Sequence, residues 1–256
     1  MKTFFVVSDV HSYFNEMINA LNEQGFDKSN KDHVFVSCGD LLDRGPDALK
    51  CLKFVNSLER KILIKGNHED LLQEAIYRGA FNVYDYHNRT YDTVYQLSDV
   101  DQNESSKNSK LDEILLFNMR YNDDWNKYFN SCLNFYETQK FIFVHGWIPV
   151  LNTTYKLLYN ENWRDEFSDW ESARWLNGMS LWNNNIREPD KTIVCGHWHS
   201  SYGHSVLHGE GVEFAETDAG IESIHTPFYD DGIIALDACT VYSGFVNCIK
   251  LEVEDE

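Results

Sequence analysis

The segment HVFVSCGDLLDRG, residues 33–45, joins a consecutive apolar run to a turn dense in glycine and charge. Four other segments share its form: TFFVVSD (3–9), KILIKGN (61–67), KFIFVHG (140–146) and KTIVCGH (191–197). Runs of this length, rich in Val, Ile and Phe on consecutive positions, suit strands covered on both faces. Helical spacing lies between the first three. Phe14, Met17, Ile18 and Leu21 fall at i, i+3, i+4 and i+7 behind a Ser12 cap, with Gly25 as the stop. Pro46 suits the first turn of a second helix carrying Leu49, Leu52 and Val55; Leu71, Leu72, Ala75 and Ile76 mark a third. Strand and helix in alternation argue for an α/β sandwich.

Two stretches break the pattern. Residues 80–139 are polar and rich in Asn, Asp and Tyr, with apolar clusters only at 94–97, 111–119 and 125–135, and read as a helical insertion or cap. Residues 150–190 hold Trp163, Trp170, Trp175 and Trp182 among acidic and Asn residues, a second insertion expected to border a substrate site. The tryptophans are assigned to packing. GIIALDACTVYSGFVNCIKLE returns to β character as a hairpin or a pair of closing strands, and the terminal VEDE reads as a solvated tail.

At 256 residues the chain is long enough for a large core, and we expect a single domain over 1–256 carrying both insertions. Forty-one acidic against 22 basic side chains give a formal charge of -19, which disfavours extended nucleic acid and anionic membrane as partners. The apolar run FFVV in MKTFFVVSDVHS is too short for a signal peptide, and no segment approaches membrane-spanning length, so a cytoplasmic protein is expected. Six cysteines without CxxC spacing, four of them (Cys38, Cys195, Cys239, Cys248) inside apolar runs, are read as reduced and structural.

The chemistry follows the apolar runs. The first ends in Asp9 and His11, the second in Asp40, Asp43 and Arg44, the third in Asn67, His68 and Glu69, the fourth in His145, the fifth in His197 and His199. Ligands of α/β sheets gather beyond the carboxyl ends of the strands, so these five turns can converge. One Asp or His after a strand is ordinarily a cap or turn former. Five successive turns all delivering oxygen or nitrogen ligands are not explained that way.

The motifs DVH (9–11), GDLLDRG (39–45), GNHE (66–69), HG (145–146) and GHWH (196–199) resemble, in order, those of the calcineurin-like metallophosphoesterases. Within that family they resemble the phosphoprotein-phosphatase lineage, which includes bacterial and phage serine/threonine phosphatases and diadenosine tetraphosphatases. The resemblance implies a four-layer α/β/β/α sandwich. It implies Asp9, His11, Asp40 and His199 around one metal, and Asp40, Asn67, His145 and His197 around a second, with Asp40 bridging. Carboxylate, amide and imidazole donors suit two divalent ions, first Mn, with Fe, Zn or Ni as alternatives. In extended backbone, side chains two apart project the same way, so His197 and His199 are expected to serve one ion each. His68, oriented by Asp43, resembles the family's general acid, and Arg44 its phosphate clamp, with Asn67 and His68 also at the substrate.

The sequence also departs from the family. Many phosphatases of this lineage lack the second His of GHWH, Cys239 and Thr240 stand where relatives often have Thr and Gly, and Asn183 and Asn184 occupy the region of a second phosphate-binding Arg, leaving Arg174 and Arg187 as the arginines nearby. The expected activity is hydrolysis of phosphoserine, phosphothreonine or small phosphate monoesters by a hydroxide between two metals. The alternatives are a dinucleoside polyphosphate hydrolase, a phosphodiesterase, or a silent metal-binding interaction module.

Overall fold

The computed structural model describes residues 1–98, 109–154, 156–165, 167–214 and 222–254. Strands β1 (Lys2–Val7), β2 (His33–Ser37) and β3 (Lys61–Leu63) run parallel, and β11 (Cys248–Val253) pairs antiparallel with β1, giving the order β11-β1-β2-β3. A second sheet has the order β4-β5-β8-β10-β9, from β4 (Tyr136–Glu137), β5 (Phe141–Phe143), β8 (Thr192–Cys195), β9 (Phe228–Asp230) and β10 (Ile233–Ala235). A hairpin of β6 (Val150–Asn152) and β7 (Leu157–Tyr159) stands apart.

Alternation along each strand makes the layers, because successive side chains face opposite ways. Phe4 and Val6 of β1 and Val34 and Val36 of β2 meet Phe143, Val194 and Ile234 of the second sheet in a shared core. The intervening Phe5, Val7 and Phe35 face the helices α1 (Phe14–Glu23), α2 (Ala48–Ser57) and α3 (Asn67–Arg78). On the far side, Ile142, Ile193, Cys195 and Ile233 pack against Trp147, Trp163, Trp170 and Met179. Each fully buried side chain of this size contributes about 1.5–3 kcal/mol. The result is the expected α/β/β/α sandwich.

Register aligns the strand ends. Val7 pairs with Ser37 and Ser37 with Leu63, so the three turns after β1, β2 and β3 leave the sheet at one level. Phe143 pairs with Val194 across β5 and β8, and the Gly196 N–H donates to the His145 carbonyl at 2.7 Å.

Several expectations change. Helix α1 starts one residue later than a Ser12 cap requires: Tyr13 takes the cap position, while Ser12 is buried with φ of 62° and its hydroxyl unpaired. Ser12 is instead held by the loop, its N–H donating to the Leu41 carbonyl at 2.9 Å. Helix α2 is preceded by Asp47, which places Pro46 outside it. The closing strands are not a hairpin, since β10 completes the second sheet beside β8 and β11 the first beside β1. Val253 is the buried last residue of β11 and Glu254 is exposed; Asp255 and Glu256 lie outside the described residues.

The 80–139 insertion is helical, with α4 (Val83–His87), α5 (Thr90–Ser98), α6 (Ser109–Met119) and α7 (Asp123–Ser131). It is an outer layer rather than a lid: Val94, Tyr95, Leu115, Leu116, Met119, Trp125 and Tyr128 all enter the first core. Between residues 150 and 190, Trp163 and Trp170 pack with Phe135, as expected of core residues, whereas Trp175, also expected to pack, is 49% exposed.

The second insertion is pinned by Arg164, which grips Glu137 through two bonds of 2.8 and 2.6 Å, with Lys191 2.8 Å from the same carboxylate. The Arg164 bond is the largest cause that draws the Glu137 carboxyl down to about 2. A folded value below the unfolded one, near 4.3, means stabilisation above that pH and its loss as pH falls toward 2. Glu137→Gln should therefore lower the denaturant midpoint at pH 7, and its gap from the parent should close between about pH 4.5 and 2. A gap independent of pH would assign the effect to packing.

Candidate metal centre and phosphate site

The turns that carry the site are bent in a way few residues tolerate. Asp9, His11, Ser12, Asp40, Asp43, Arg44, His197 and Cys239 all have positive φ, a cost the surrounding hydrogen bonds must offset. Glycine lets the turns approach. A Cβ on Gly66 would lie 2.1 Å from Asp40 Oδ1, and one on Gly196 would lie 1.9 Å from Ser8 Oγ and 2.1 Å from Asp9 Oδ2. The carboxylates are cradled by backbone that no larger residue permits.

Asp40 is the centre of the arrangement. Its Oδ2 is 3.9 Å from Nε2 of both His11 and His68, and its Oδ1 is 3.3 Å from His145 Nε2. Two donor clusters result, His11–Asp40–His68 and Asp40–His145–His197. Asn67 belongs to the second: its Oδ1 lies 2.8 Å from His145 Nε2 and 2.9 Å from His197 Nδ1. Carbonyl acceptors fix two of the rings, Leu42 O at 3.1 Å from His11 Nδ1 and Cys38 O at 2.7 Å from His145 Nδ1. With Nδ1–H so engaged, Nε2 faces the cluster as a donor to metal.

Asp9, expected on the first metal, is in neither cluster among the described residues. Its carboxylate accepts the Ser8 hydroxyl at 2.5 Å and the His197 N–H at 3.0 Å, and its carbonyl accepts the Thr240 hydroxyl at 2.8 Å. His199 is placed differently from expectation: its Nδ1 is 2.8 Å from Ser201 Oγ and its Nε2 3.3 Å from Glu213 Oε1. It joins neither cluster among the described residues, because the chain turns into the helical segment Ser200–Tyr202 directly after it, so extended backbone does not carry both His side chains to the metals.

The charges ask for cations. Burial, then the carboxylates of Asp237 and Asp40, push Asp9 well above the usual range, and burial with Asp40 beside it lifts Asp237 to about 6. Burial also opposes ionisation of Asp40, yet His145 and His68 outweigh it and hold Asp40 well below the ordinary value. Burial disfavours a charged His145 as well, but Asp40 raises it to about 10. Burial and repulsion from His68 lower His11, and burial with His145 beside it lowers His197 to about 3, leaving neutral imidazoles of the form that binds metal. Carboxylate, imidazole and amide donors buried together fit divalent cations, one of which would take the place of the proton that Asp40 holds on His145.

His68 links the first cluster to Asp43 and Arg44. Asp43 Oδ2 is 2.8 Å from His68 Nδ1, and Arg44 Nη2 is 3.1 Å from His68 Nε2; Asp43 and His68 are both buried. Arg44 can only donate, so Nε2 accepts here and Nδ1 carries the proton toward Asp43.

Sequence alone did not reveal the supports. Glu69 accepts from the N–H groups of Asp40, Leu41 and Gly66 at 3.0, 3.0 and 2.7 Å and from Tyr128 Oη at 2.9 Å, locking the second turn to the third. Tyr128 comes from the insertion, and no local signal marks it. Arg174 is occupied by Asp70 at 2.6 Å and Asn134 at 3.1 Å, and Arg187 reaches the Asp231 carbonyl at 2.9 Å, so neither is a free second clamp here.

The sequence profile of the calcineurin-like phosphoesterases matches residues 2–220. Over 70 residues, 27% of this chain and 24% of the relative, the chain is 40% identical to a symmetrical bis(5'-nucleosyl)-tetraphosphatase of Buchnera aphidicola subsp. Baizongia pistaciae. Over 71 residues, 28% of this chain and 32% of the relative, it is 38% identical to serine/threonine-protein phosphatase 1 of Salmonella typhimurium. The matches thus span about a quarter to a third of the length of these curated relatives. Among solved structures, the cold-active protein-tyrosine phosphatase of a Shewanella species shares the fold, with a TM-score of 0.54 over 98% of this chain and 76% of that chain at 16% identity. The profile covers the turns that meet at Asp40, and the chain belongs to the calcineurin-like phosphoesterases.

Proposed function

We propose that the protein is a dinuclear metal-dependent phosphatase that hydrolyses phosphate monoesters, phosphoserine or phosphothreonine in a protein or small phosphate esters. The carrying observation is one buried carboxylate, Asp40, shared by two donor clusters, in the first of which His68 also pairs with Asp43 and Arg44. Two divalent ions, Mn first, held by His11, Asp40, Asn67, His145 and His197 with Asp9 behind them, would supply Lewis acidity and a nucleophilic water near neutral pH.

The side chains do the rest. Arg44 leaves His68 Nε2 to fork two phosphoryl oxygens, and that nitrogen, freed of its donor, takes up a proton from solvent and passes it to the leaving oxygen. Asp43 holds Nδ1–H and so the ring's direction. Six free cysteines accord with a reducing, cytoplasmic setting, and no helix among the described residues is long and apolar enough to cross a membrane.

A second reading, hydrolysis of a dinucleoside polyphosphate, draws on the tetraphosphatase relatives and on Trp175 and Trp198. Both rings are partly exposed beside His197, at 5.7 and 6.2 Å, where a base can stack. One experiment weighs both: strip the protein with chelator, restore Mn²⁺, and compare kcat/KM on p-nitrophenyl phosphate, a phosphothreonine peptide and diadenosine tetraphosphate. We expect turnover to vanish on chelation, return with Mn²⁺ and favour the monoesters. Preference for the dinucleotide would establish the second reading, and no metal-dependent turnover on any of the three would overturn both.

A further inference from the structure

Helix α5 lies in the insertion, far in sequence from every motif, yet it grips the loop that carries Asp43 and Arg44. Thr90 Oγ1 donates to Asp43 Oδ2 at 2.7 Å, and Thr93 Oγ1 donates to Asp43 Oδ1 at 2.7 Å. Three residues on, Gln96 bonds the same loop twice, through Nε2 to the Gly45 carbonyl at 3.1 Å and through Oε1 from the Ala48 N–H at 2.7 Å. Residues 90, 93 and 96 recur at intervals of three and so share one helix face.

We propose that Thr90 and Thr93 are positioning residues of the phosphatase reaction, setting the Asp43 carboxylate and through it the direction in which His68 delivers its proton. Thr90, Thr93 and Asp43 are each fully buried, so no water substitutes for a lost hydroxyl. Each carboxylate oxygen receives one threonine hydroxyl, and Oδ2 receives the His68 ring as well. Removing either hydroxyl lets the carboxylate turn about its last torsion, and the imidazole follows it. The bond lost is small; the displaced proton donor is what slows the reaction. The proposal rests on the phosphatase reading, and its test separates the two.

Thr90→Val and Thr93→Val keep the shape and replace the hydroxyl by a methyl. Each variant should lose about 10- to 100-fold in kcat on an alkyl phosphate, whose leaving group needs a proton, with KM little changed. On p-nitrophenyl phosphate, whose leaving group needs almost none, kcat should stay within about twofold. Thr→Ser at either position should restore the parent, and in an Asp43→Asn background the Val substitutions should add nothing. Equal losses on both esters, additivity with Asp43→Asn, or no loss at all would overturn the proposal.

Proton NMR reads the same geometry without turnover. The His68 Nδ1–H, bonded to a carboxylate, should give a downfield imidazole signal that Thr93→Val moves and Gln96→Ala leaves in place, with the same thermal midpoint required of both. A signal indifferent to Thr93→Val would refute the positioning role. A parent protein without metal-dependent turnover, but with a signal that responds, would sink the phosphatase reading and leave the positioning of His68 standing.

Discussion

Asp40→Asn should cost on the order of 10³-fold or more in kcat/KM and leave the protein with less than its full complement of metal, while the fold survives. Asn keeps the volume and an oxygen that can still accept the His68 N–H, now bonded to Oδ1 at 3.0 Å, and a Glu69 acceptor still holds the backbone of residue 40. What it removes is the one negative charge common to both clusters. Asp40 is also what lifts His145 to about 10 against the opposing effect of burial, so without it His145 loses its main electrostatic partner. Removing an outer support of a metal site typically costs 10–100-fold, and removing a donor shared by two sites should cost more. Metal content, measured on protein reconstituted with Mn²⁺, decides the cause. A variant with two metal equivalents and the parental rate would remove Asp40 from its place at the centre.

Much of this is legible in the sequence, for a physical reason. The strands are buried on both faces, so their apolar runs stand out, and parallel strands of one sheet release their turns at one edge. Hence the residues that follow each run are readable as a set of turns able to converge, the family resemblance names Asp40, Asn67, His145 and His197 among their ligands, and the structure brings these four together. His199 shows the limit of such reading. An extended dipeptide would have aimed it at the metals, but the chain leaves β8 after Cys195, bends at His197 with φ of 66° and enters a helical turn at Ser200. The sequence carries no sign of that bend apart from Gly196. Thr90, Thr93 and Tyr128 were invisible for another reason: each is an ordinary residue on an amphipathic helix, and only tertiary packing brings it to Asp43 or Glu69. Residues 80–139 read as a helical insertion or cap because their composition is polar, whereas eight of their described side chains, Val94, Tyr95, Leu97, Leu115, Leu116, Met119, Trp125 and Tyr128, complete the first core.

His68 occupies two positions at once, and its replacement distinguishes them. Its Nε2 lies 3.9 Å from Asp40 Oδ2 within the first donor cluster, yet its Nδ1 is held by Asp43 and its Nε2 faces Arg44, the arrangement of a proton donor next to a phosphate clamp. As a general acid, His68→Ala should lower kcat on a phosphoserine peptide or an alkyl phosphate by about 10²–10⁴-fold. It should spare p-nitrophenyl phosphate by comparison, because that leaving group departs without a proton. The metal content should match the parent, since His11, Asp40, Asn67, His145 and His197 remain. As a metal ligand, the same change should lower metal content and depress every substrate alike. The Asp43 bond favours the first outcome: a ring whose Nδ1–H is fixed by a carboxylate, itself held by two buried threonines, has its remaining nitrogen directed into the site, 3.1 Å from Arg44 Nη2. Equal losses on both ester types with parental metal content would contradict both roles and return His68 to packing against His11, whose ring it meets edge-on at 4.8 Å.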